Sequence, residues 1–142
     1  MSINKFNQEG YKDPTAYTAL TNVHKTEKTT KAYLPIVYIC SPYAGDIVRN
    51  VENARRYSRF AYEEGAIPFA PHLLFPQFMD DSNFKERRTA INFNKIMLSK
   101  CDELWVFGSR FSSGMSDEIC EAERKYMKIR YFTENLEELK NA

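Results

Sequence analysis

The segment from Cys101 to Ala122 constrains the fold more than any other part of this chain. Its sequence is CDELWVFGSRFSSGMSDEICEA: an apolar strand at residues 104–107, then a Gly/Ser turn, then a helix whose first turn carries Glu118. A short apolar strand followed by a turn and a helix is the repeating unit of open α/β sheets, which bind ligands at the carboxyl ends of their strands. The segment therefore predicts such a sheet, with a carboxylate delivered to its ligand-binding edge.

The rest of the chain repeats this alternation of strands and helices. We expect strands at residues 36–40, 66–70, 103–107 and 129–132, and helices at residues 47–64, 86–100, 115–127 and 134–140. A continuous apolar run such as IVYIC at 36–40 is typical of a central strand buried on both faces. The pattern predicts a doubly wound α/β domain, flavodoxin-like or Rossmann-like, with a mostly parallel sheet of about four to five strands covered by helices on both faces.

Two segments fall outside this alternation. Residues 1–33 are polar and contain one modest helical stretch at about 13–24, so we interpret them as an N-terminal arm before an α/β domain at residues 34–142. Residues 73–85 contain Pro76 and the turn-forming cluster DDSN, and they predict an irregular connection. Connections of this length are commonly pocket lids.

Length and charge restrict the function classes. The 142 residues are enough for one domain with a core. With 20 Lys and Arg against 19 Asp and Glu, the net charge of +1 gives no electrostatic reason to expect nucleic acid or a membrane as partner. The beginning of the chain lacks the apolar run of a signal peptide, and no stretch approaches the roughly 20 apolar residues that span a bilayer. We therefore expect a soluble cytoplasmic protein with a small-molecule ligand.

The three cysteines, Cys40, Cys101 and Cys120, are widely spaced and form no C-x-x-C pair. We interpret them as reduced structural thiols, because neither a disulfide framework nor a zinc site fits this spacing. We expect neither a metal ion nor a cofactor.

Three loops should meet at the carboxyl edge of the predicted sheet, because parallel strands end on the same side. They are residues 41–46, 71–72 and 108–118. Glycines keep these loops slim, and serine hydroxyls beside the N–H groups of helix starts suit a phosphate or another anion. The candidate ligand-binding residues are Ser41, Tyr43, Gly45, Asp46, His72, Ser112, Ser113, Gly114 and Met115. The alternative is that the serines only cap helices, Ser113 above all, as Asp46 is expected to do.

Three further side chains carry candidate chemistry. Glu118 lies in the first turn of its helix, where the helix dipole favours the charged carboxylate that a nucleophile needs. The alternative is that the acidic residue only complements the helix dipole, which fits Asp117 better. His72 follows a strand and a proline, and either binds a phosphate or hydroxyl or is a satisfied structural histidine. Asn94 is polar on an apolar helix stripe, so either a core hydrogen-bond network or a ligand accounts for it.

Taken in order, these motifs resemble the nucleoside 2-deoxyribosyltransferase superfamily, which includes the 2'-deoxynucleoside 5'-monophosphate N-glycosidases and many small bacterial and phage proteins. The resemblance covers residues 36–132 and rests on SPYAGD after the first strand, PH after the second, CDELWVFG at the third, and SSGMSDE. It implies an enzyme that cleaves the N-glycosidic bond of a nucleotide, nucleoside or nucleotide-sugar and passes the sugar to water or to another base.

The resemblance also implies roles for individual residues. In the family, a glutamate four residues after a glycine attacks the anomeric carbon of the sugar, which implies Glu118 as the nucleophile after Gly114. Ser41 and Ser112 match the serines that bind the 5'-phosphate in the monophosphate branch, and His72 matches a histidine near the ligand. The transferases tend to have aspartate at the position of Ser112, which favours the nucleotide branch.

One residue departs from the family pattern. Active members usually carry an aspartate that protonates or orients the leaving base, eight residues before the aspartate of the CD pair, and this chain has Asn94 there. An amide can orient a base but cannot donate a proton as a carboxylic acid does, and the loss of general acid catalysis typically costs about 10²- to 10⁴-fold in rate. The alternatives to an enzyme are a nucleotide-binding or sequestering protein, and an interaction protein that uses the fold only as a scaffold.

Members of this family commonly form oligomers in which a neighbouring subunit completes the pocket. Here Tyr57, Phe60 and Tyr62 lie on one predicted helix and are candidates for such an interface. The aromatic content of 14% suits an interface, a ring-stacking pocket that includes Tyr43, or a core rich in Phe and Tyr. We expect a homodimer or a higher homo-oligomer.

Overall fold

The structure is a computed structural model that describes residues 33–140. Its elements, in chain order, are β1 (Ile36–Cys40), α1 (Ile47–Glu63), β2 (Ile67–Phe69), α2 (Pro71–Leu74), a 3-10 helix (Phe75–Gln77), α3 (Phe84–Lys100), β3 (Glu103–Phe107), α4 (Ser113–Arg124), β4 (Lys128–Phe132) and β5 (Glu138–Leu139). The arm predicted for residues 1–33, with its helix at 13–24, lies outside the described residues apart from Tyr33. None of the described helices is long and apolar enough to cross a membrane.

The described strands form one sheet in the order β2-β1-β3-β4-β5. β1 is parallel to both β2 and β3, and β3 is parallel to β4, while β5 is antiparallel to β4. Tyr38 lies beside Leu104 and Cys40 beside Val106, so the carboxyl ends of β1 and β3 are neighbours. The predicted α/β fold with a mostly parallel sheet is confirmed.

Helices cover both faces of the sheet, because alternate residues of each central strand point to opposite faces. α1 packs on one face, where the buried cluster contains Val37, Ile39, Tyr57, Ala61, Ala66, Trp105, Phe107 and Phe132. α3 and α4 pack on the other, where the cluster contains Tyr38, Cys40, Leu98, Cys101, Leu104, Val106, Met115, Ile119 and Ala122. The second cluster places α4 against β1.

The aromatic residues of α1 do not form one surface. Tyr57 is buried and stacks on Phe107, with ring centroids 4.2 Å apart. Phe60 packs edge-on against Phe132 in the same core, whereas Tyr62 is exposed. Tyr57 and Phe60 therefore belong to the core, and Tyr62 is the member of the set that is free to contact another molecule.

The connection after β2 is partly helical, although we expected residues 73–85 to be irregular. Pro71 begins α2, and Pro76 lies in the following 3-10 helix. Proline suits the first turn of a helix, because its fixed φ is helical and its missing N–H needs no partner there. Residues 78–83 are irregular, as predicted. α3 begins after Asn83, whose side chain accepts a hydrogen bond from the N–H of Glu86.

The helix predicted at residues 134–140 is wrong. The hydroxyl of Thr133 accepts hydrogen bonds from two following backbone N–H groups and so forms a turn. Leu136 adopts a left-handed conformation with a φ of 70°, which no right-handed helix can continue through. The chain then returns as β5, and Arg130 on β4 forms two hydrogen bonds with the carboxylate of Glu138.

Phe107→Ala should strongly destabilise the domain. Phe107 is fully buried and stacks on Tyr57 and Phe132, so its truncation should lower the free energy of unfolding by about 3–5 kcal/mol. Val48→Ala on α1, where the side chain is 72% exposed, should change it by less than about 0.5 kcal/mol. Urea denaturation measures both, and equal losses would contradict the described core.

Candidate functional site

A cavity of about 270 Å³ lies at the carboxyl ends of β1 and β3. Its walls come from the loop after β1, from α2 and the segment that follows it, from α3, and from the first turns of α4. Nine residues predicted from the sequence line it: Ser41, Tyr43, His72, Asn94, Ser112, Ser113, Gly114, Met115 and Glu118. The sheet topology thus brings together side chains that are far apart in the sequence.

Gly45 and Asp46, which we also predicted to bind a ligand, do not line this cavity. Asp46 is the N-cap of α1, where its carboxylate accepts a hydrogen bond from the N–H of Arg49 at 3.2 Å. Gly45 has a φ of 97°, a left-handed conformation that favours glycine. Both residues shape the turn into α1.

Glu118 faces inward from α4 towards β1. One oxygen of its carboxylate accepts a short hydrogen bond from the hydroxyl of Tyr38, and the thiol of Cys40 lies 3.4 Å from the other oxygen. Tyr38 and Cys40 are fully buried and share one face of β1. Among the described residues, no cationic side chain forms a salt bridge with Glu118. Two neutral donors therefore hold this carboxylate at the cavity wall.

The contribution of Tyr38 and Cys40 was not predicted from the sequence. Both belong to the apolar run at 36–40, which is typical of a core strand. The sequence does indicate that Tyr38 and Cys40 share a face, because residues two apart on a strand face the same side of the sheet. Which side receives the glutamate depends on how α4 packs, and the sequence pattern leaves that open.

Burial raises the pKa of Glu118 to about 7, although the hydrogen bonds from Tyr38 and Cys40 act in the opposite direction. We expected the helix dipole to keep this carboxylate charged near neutral pH, but the loss of hydration dominates. Burial and the nearby carboxylate raise the pKa values of Tyr38 and Cys40, so both remain protonated donors. Glu118 therefore titrates near neutral pH, as groups at functional sites often do.

Ser41, His72 and Tyr43 form a second group in the cavity. Nε2 of His72 lies 2.9 Å from the carbonyl oxygen of Ser41, and the Tyr43 ring stacks on the imidazole with centroids 5.0 Å apart. Because a carbonyl only accepts, Nε2 carries the proton and donates it, while Nδ1 is an acceptor. Burial lowers the pKa of His72, which leaves the ring uncharged at neutral pH. His72 connects α2 to the loop after β1 through this hydrogen bond, and it lines the cavity.

Ser112 and Ser113 begin α4. Ser112 is the N-cap, since its hydroxyl oxygen accepts a hydrogen bond from the N–H of Met115 at 3.2 Å. The capping alternative that we left open for the serines, Ser113 above all, therefore applies to Ser112. The Ser112 hydroxyl keeps its own proton to donate to a ligand. The N–H of Met115 is used by the cap, which leaves the N–H groups of Ser113 and Gly114 for an anion at the helix start.

Two buried oxygen atoms of the cavity residues have no hydrogen-bond partner within residues 33–140: Oγ of Ser41 and Oδ1 of Asn94. Buried polar atoms in proteins are nearly always paired with protein or water. Within residues 33–140, no core hydrogen-bond network reaches Oδ1 of Asn94, and the residue lines the cavity.

Comparison with known protein families places most of the described residues in one family. The family described as a domain of unknown function, DUF7768, matches residues 35–132. The chain belongs to the DUF7768 family. Comparison with curated proteins gives no match.

Two solved structures resemble this DUF7768 protein in fold. A 2-deoxyribosyltransferase from Bacillus psychrosaccharolyticus aligns with a TM-score of 0.59 and 14% identity, over 75% of this chain and 77% of that one. A 2-deoxyribosyltransferase from Leishmania mexicana aligns with a TM-score of 0.54 and 16% identity, over 70% of this chain and 64% of that one, which is less than two thirds of its length. At these identities the similarity establishes the fold alone. The fold is therefore like that of the 2-deoxyribosyltransferases.

Glu118 should make the stability of the domain depend on pH near neutrality. Its pKa is about 7 in the folded chain and 4.5 without the protein environment, so the folded state holds this proton more tightly. The resulting stabilisation is complete below the lower value and is lost as the pH rises through the higher one. We expect Glu118→Gln to gain stability relative to the wild type as the pH is raised from about 5 to about 8.

Urea denaturation of both proteins across this pH range measures the difference. Glu123→Gln is the matched control, since Glu123 is exposed on the same helix and does not line the cavity. Its stability difference from the wild type should stay nearly constant with pH. The same constancy for Glu118→Gln would contradict a raised pKa for Glu118.

Proposed function

We propose that this protein cleaves the N-glycosidic bond of a nucleoside, nucleotide or nucleotide-sugar, with Glu118 as the nucleophile. The observation that carries the proposal is the carboxylate of Glu118, held by Tyr38 and Cys40 at a cavity wall and without a cationic partner among the described residues. A carboxylate without a counter-ion keeps its electron density for attack on carbon. The 2-deoxyribosyltransferases that share the fold support chemistry at this type of bond.

The proposed reaction has two steps. In the first, an oxygen of Glu118 bonds to the anomeric carbon while the bond from that carbon to the base nitrogen breaks, and the electron pair stays on the base. The sugar is then held on the protein as an ester. In the second step, water or another base attacks the same carbon and Glu118 departs as a carboxylate. Attack by water hydrolyses the substrate, and attack by a second nucleobase transfers the sugar to it.

Tyr38 and Cys40 are suited to orient the nucleophile. They contact different oxygens of the Glu118 carboxylate, which fixes the plane of the group. Their hydrogen bonds also lower the pKa of Glu118 against the effect of burial. We infer that they position Glu118 and increase the charged fraction that attack requires.

The other cavity residues offer groups for the phosphate and the base. Groups that suit a 5'-phosphate lie in two loops, at the hydroxyls of Ser41, Ser112 and Ser113 and at the N–H of Gly114. Tyr43, stacked on His72, offers an aromatic surface to the base. Asn94 would orient the base through its unpaired Oδ1.

A nucleotide-binding protein without turnover is the second candidate function. Asn94 favours it, because an amide at the cavity wall cannot protonate a leaving base as a carboxylic acid could. Such a protein would hold the same ligand in the same cavity. The two functions differ in product, since only the enzyme releases free base.

We also infer that the protein forms a homo-oligomer. Large apolar side chains are exposed on two helices: Tyr62 on α1, and Phe84, Ile91 and Ile96 on α3. Exposed apolar surface of this kind often marks a protein–protein contact.

Glu118→Gln should abolish base release. Glutamine has nearly the same shape but no charge for nucleophilic attack, so we expect the rate to fall on the order of 10³-fold or more. Chromatography of free bases, after incubation with nucleosides, nucleoside monophosphates and nucleotide-sugars, measures the loss. Glu123→Gln on the exposed side of α4 should retain the wild-type rate.

Equal release by the wild type and Glu118→Gln would overturn the assignment of the nucleophile. Tight binding of a nucleotide by the wild type, with no base released from any compound, would instead support the second candidate function.

Tyr38→Phe should lower the reaction rate and shift its pH profile. Loss of a hydrogen bond to a charged group should reduce kcat/KM by about tenfold to a hundredfold. Because that bond lowers the pKa of Glu118, the acid limb of the profile should move to higher pH. Tyr126→Phe, at a residue that is 96% exposed, is the control. A lower rate with an unmoved acid limb would show that Tyr38 is only structural.

A further inference from the structure

The cavity that contains Glu118 is strongly acidic. Six carboxylates line it: Asp80, Asp81, Glu86, Asp117, Glu118 and Glu121. Within residues 33–140, Arg87 and Lys95 are the cationic residues of the lining, and His72 is uncharged near neutral pH because burial lowers its pKa. Glu121 is paired with two neighbouring cations. Negative charge nevertheless exceeds positive charge among the lining residues that the structure describes.

The cavity also presents the two buried oxygens that lack a partner among residues 33–140. Ser41 is 2% exposed, and both its Oγ and the Oδ1 of Asn94 are buried. Oδ1 of an amide can only accept, so a hydrogen-bond donor or a positively charged group stabilises it. Oδ1 of Asn94 therefore favours a hydrogen-bond donor or a positive charge on the ligand, whereas the Ser41 hydroxyl can either donate or accept.

Cleavage of a neutral base is assisted by a proton on the base, and the position at which the resemblance implies a carboxylic acid for this purpose carries the amide of Asn94. His72 is uncharged, and its Nε2–H already donates a hydrogen bond to the carbonyl oxygen of Ser41. Hydrogen bonds from Ser82 lower the pKa of Asp80 and keep it charged. Asn94 is an amide, and Glu118 must itself be charged to attack.

We propose that the substrate is a nucleoside or nucleotide whose base carries a fixed positive charge in the ring bonded to the sugar, such as an N7-alkylated purine or an N-substituted pyridinium. The inference rests on the proposed function, because it concerns the bond that Glu118 attacks. As that bond breaks, its electron pair passes to the ring nitrogen and cancels the positive charge. The base then leaves as a neutral molecule, and no proton donor is needed.

Several features of the cavity favour a positively charged ring. The excess of carboxylates attracts it, and the rings of Tyr43 and Phe75 in the lining offer cation–π contacts. A cation bound beside Glu118 also favours the charged carboxylate and so opposes the effect of burial on its pKa. Binding of the substrate would thus generate the nucleophile that the reaction uses.

The proposal concerns the base and is independent of the 5' end of the sugar. Arg87, Lys95 and the start of α4 belong to the same cavity and suit a phosphate. A nucleotide with a cationic base and a 5'-phosphate would use both parts of the cavity. The experiment therefore tests the two charges separately.

Matched pairs of compounds test the charge of the base. 7-Methylguanosine and guanosine differ by one methyl group and one positive charge, and their 5'-monophosphates and 2'-deoxy forms give further pairs. Base release is measured for each compound and divided by the uncatalysed rate of the same compound, because a cationic base also leaves faster in water. We expect the enhancement for the cationic member to exceed that for the neutral member by about tenfold or more.

Binding to Glu118→Gln separates this inference from the proposed function. This variant cannot form the ester, so calorimetry measures affinity alone, and the cationic member of each pair should bind about tenfold more tightly or better. Adding Asp81→Asn or Asp117→Asn should reduce this preference, because each removes a carboxylate of the lining. Adding Glu123→Gln, which removes an exposed carboxylate outside the lining, should leave it unchanged.

Asn94→Asp tests the missing proton donor. A carboxyl group at this partly buried position would supply an acid, so release of guanine from guanosine should increase relative to release from 7-methylguanosine. A parallel change in both rates would contradict the idea that the site lacks an acid.

Each outcome is decisive. Equal or greater enhancement and affinity for the neutral compounds would overturn the inference and leave the proposed function standing. Selective binding of the cationic compounds without base release from any of them would overturn the proposed function and support recognition of a cation by the cavity. Neither release nor binding would overturn both.

Discussion

The buried contact between Glu118 and Tyr38 is the interaction on which the rest of the site depends. A carboxylate removed from water is costly unless hydrogen bonds replace its hydration. β1 supplies these bonds from Tyr38 and Cys40, two residues on one face of the strand. The contact adds hydrogen bonds to the apolar packing of Met115, Ile119 and Ala122 against β1. The same packing places the start of α4, with Ser112 and Ser113, at the cavity that the loop after β1 also lines.

The contact also gives Glu118 its chemical character. Burial raises its pKa to about 7, while Tyr38 and Cys40 act to keep it charged. The charge on Glu118 is therefore sensitive to what occupies the cavity, and a positive group there favours the nucleophilic form. As the pH rises through this value, we expect the domain to lose stability that it would keep with a neutral side chain at position 118. Such a loss of stability is common where a residue serves chemistry rather than packing.

Much of the fold could be predicted because hydrophobic patterns report burial: β1 and β3 occupy the predicted residues 36–40 and 103–107. The segment at 134–140 has strong helix formers, but a turn at Thr133 and pairing with β4 override that propensity. Topology alone brought Ser41, His72 and Glu118 to one edge. It could not predict Tyr38 as the partner of the glutamate. β1 is buried on both faces, and the sequence does not tell which face α4 covers.

Mass spectrometry of the protein quenched during turnover tests the central claim that Glu118 carries the sugar. The wild-type protein should gain the mass of one sugar unit, and peptide mapping should locate that mass on Glu118. The added mass should disappear when the substrate is exhausted, because the second step returns the free carboxylate. Base release with no added mass on the protein, or with the sugar on another residue, would contradict the claim.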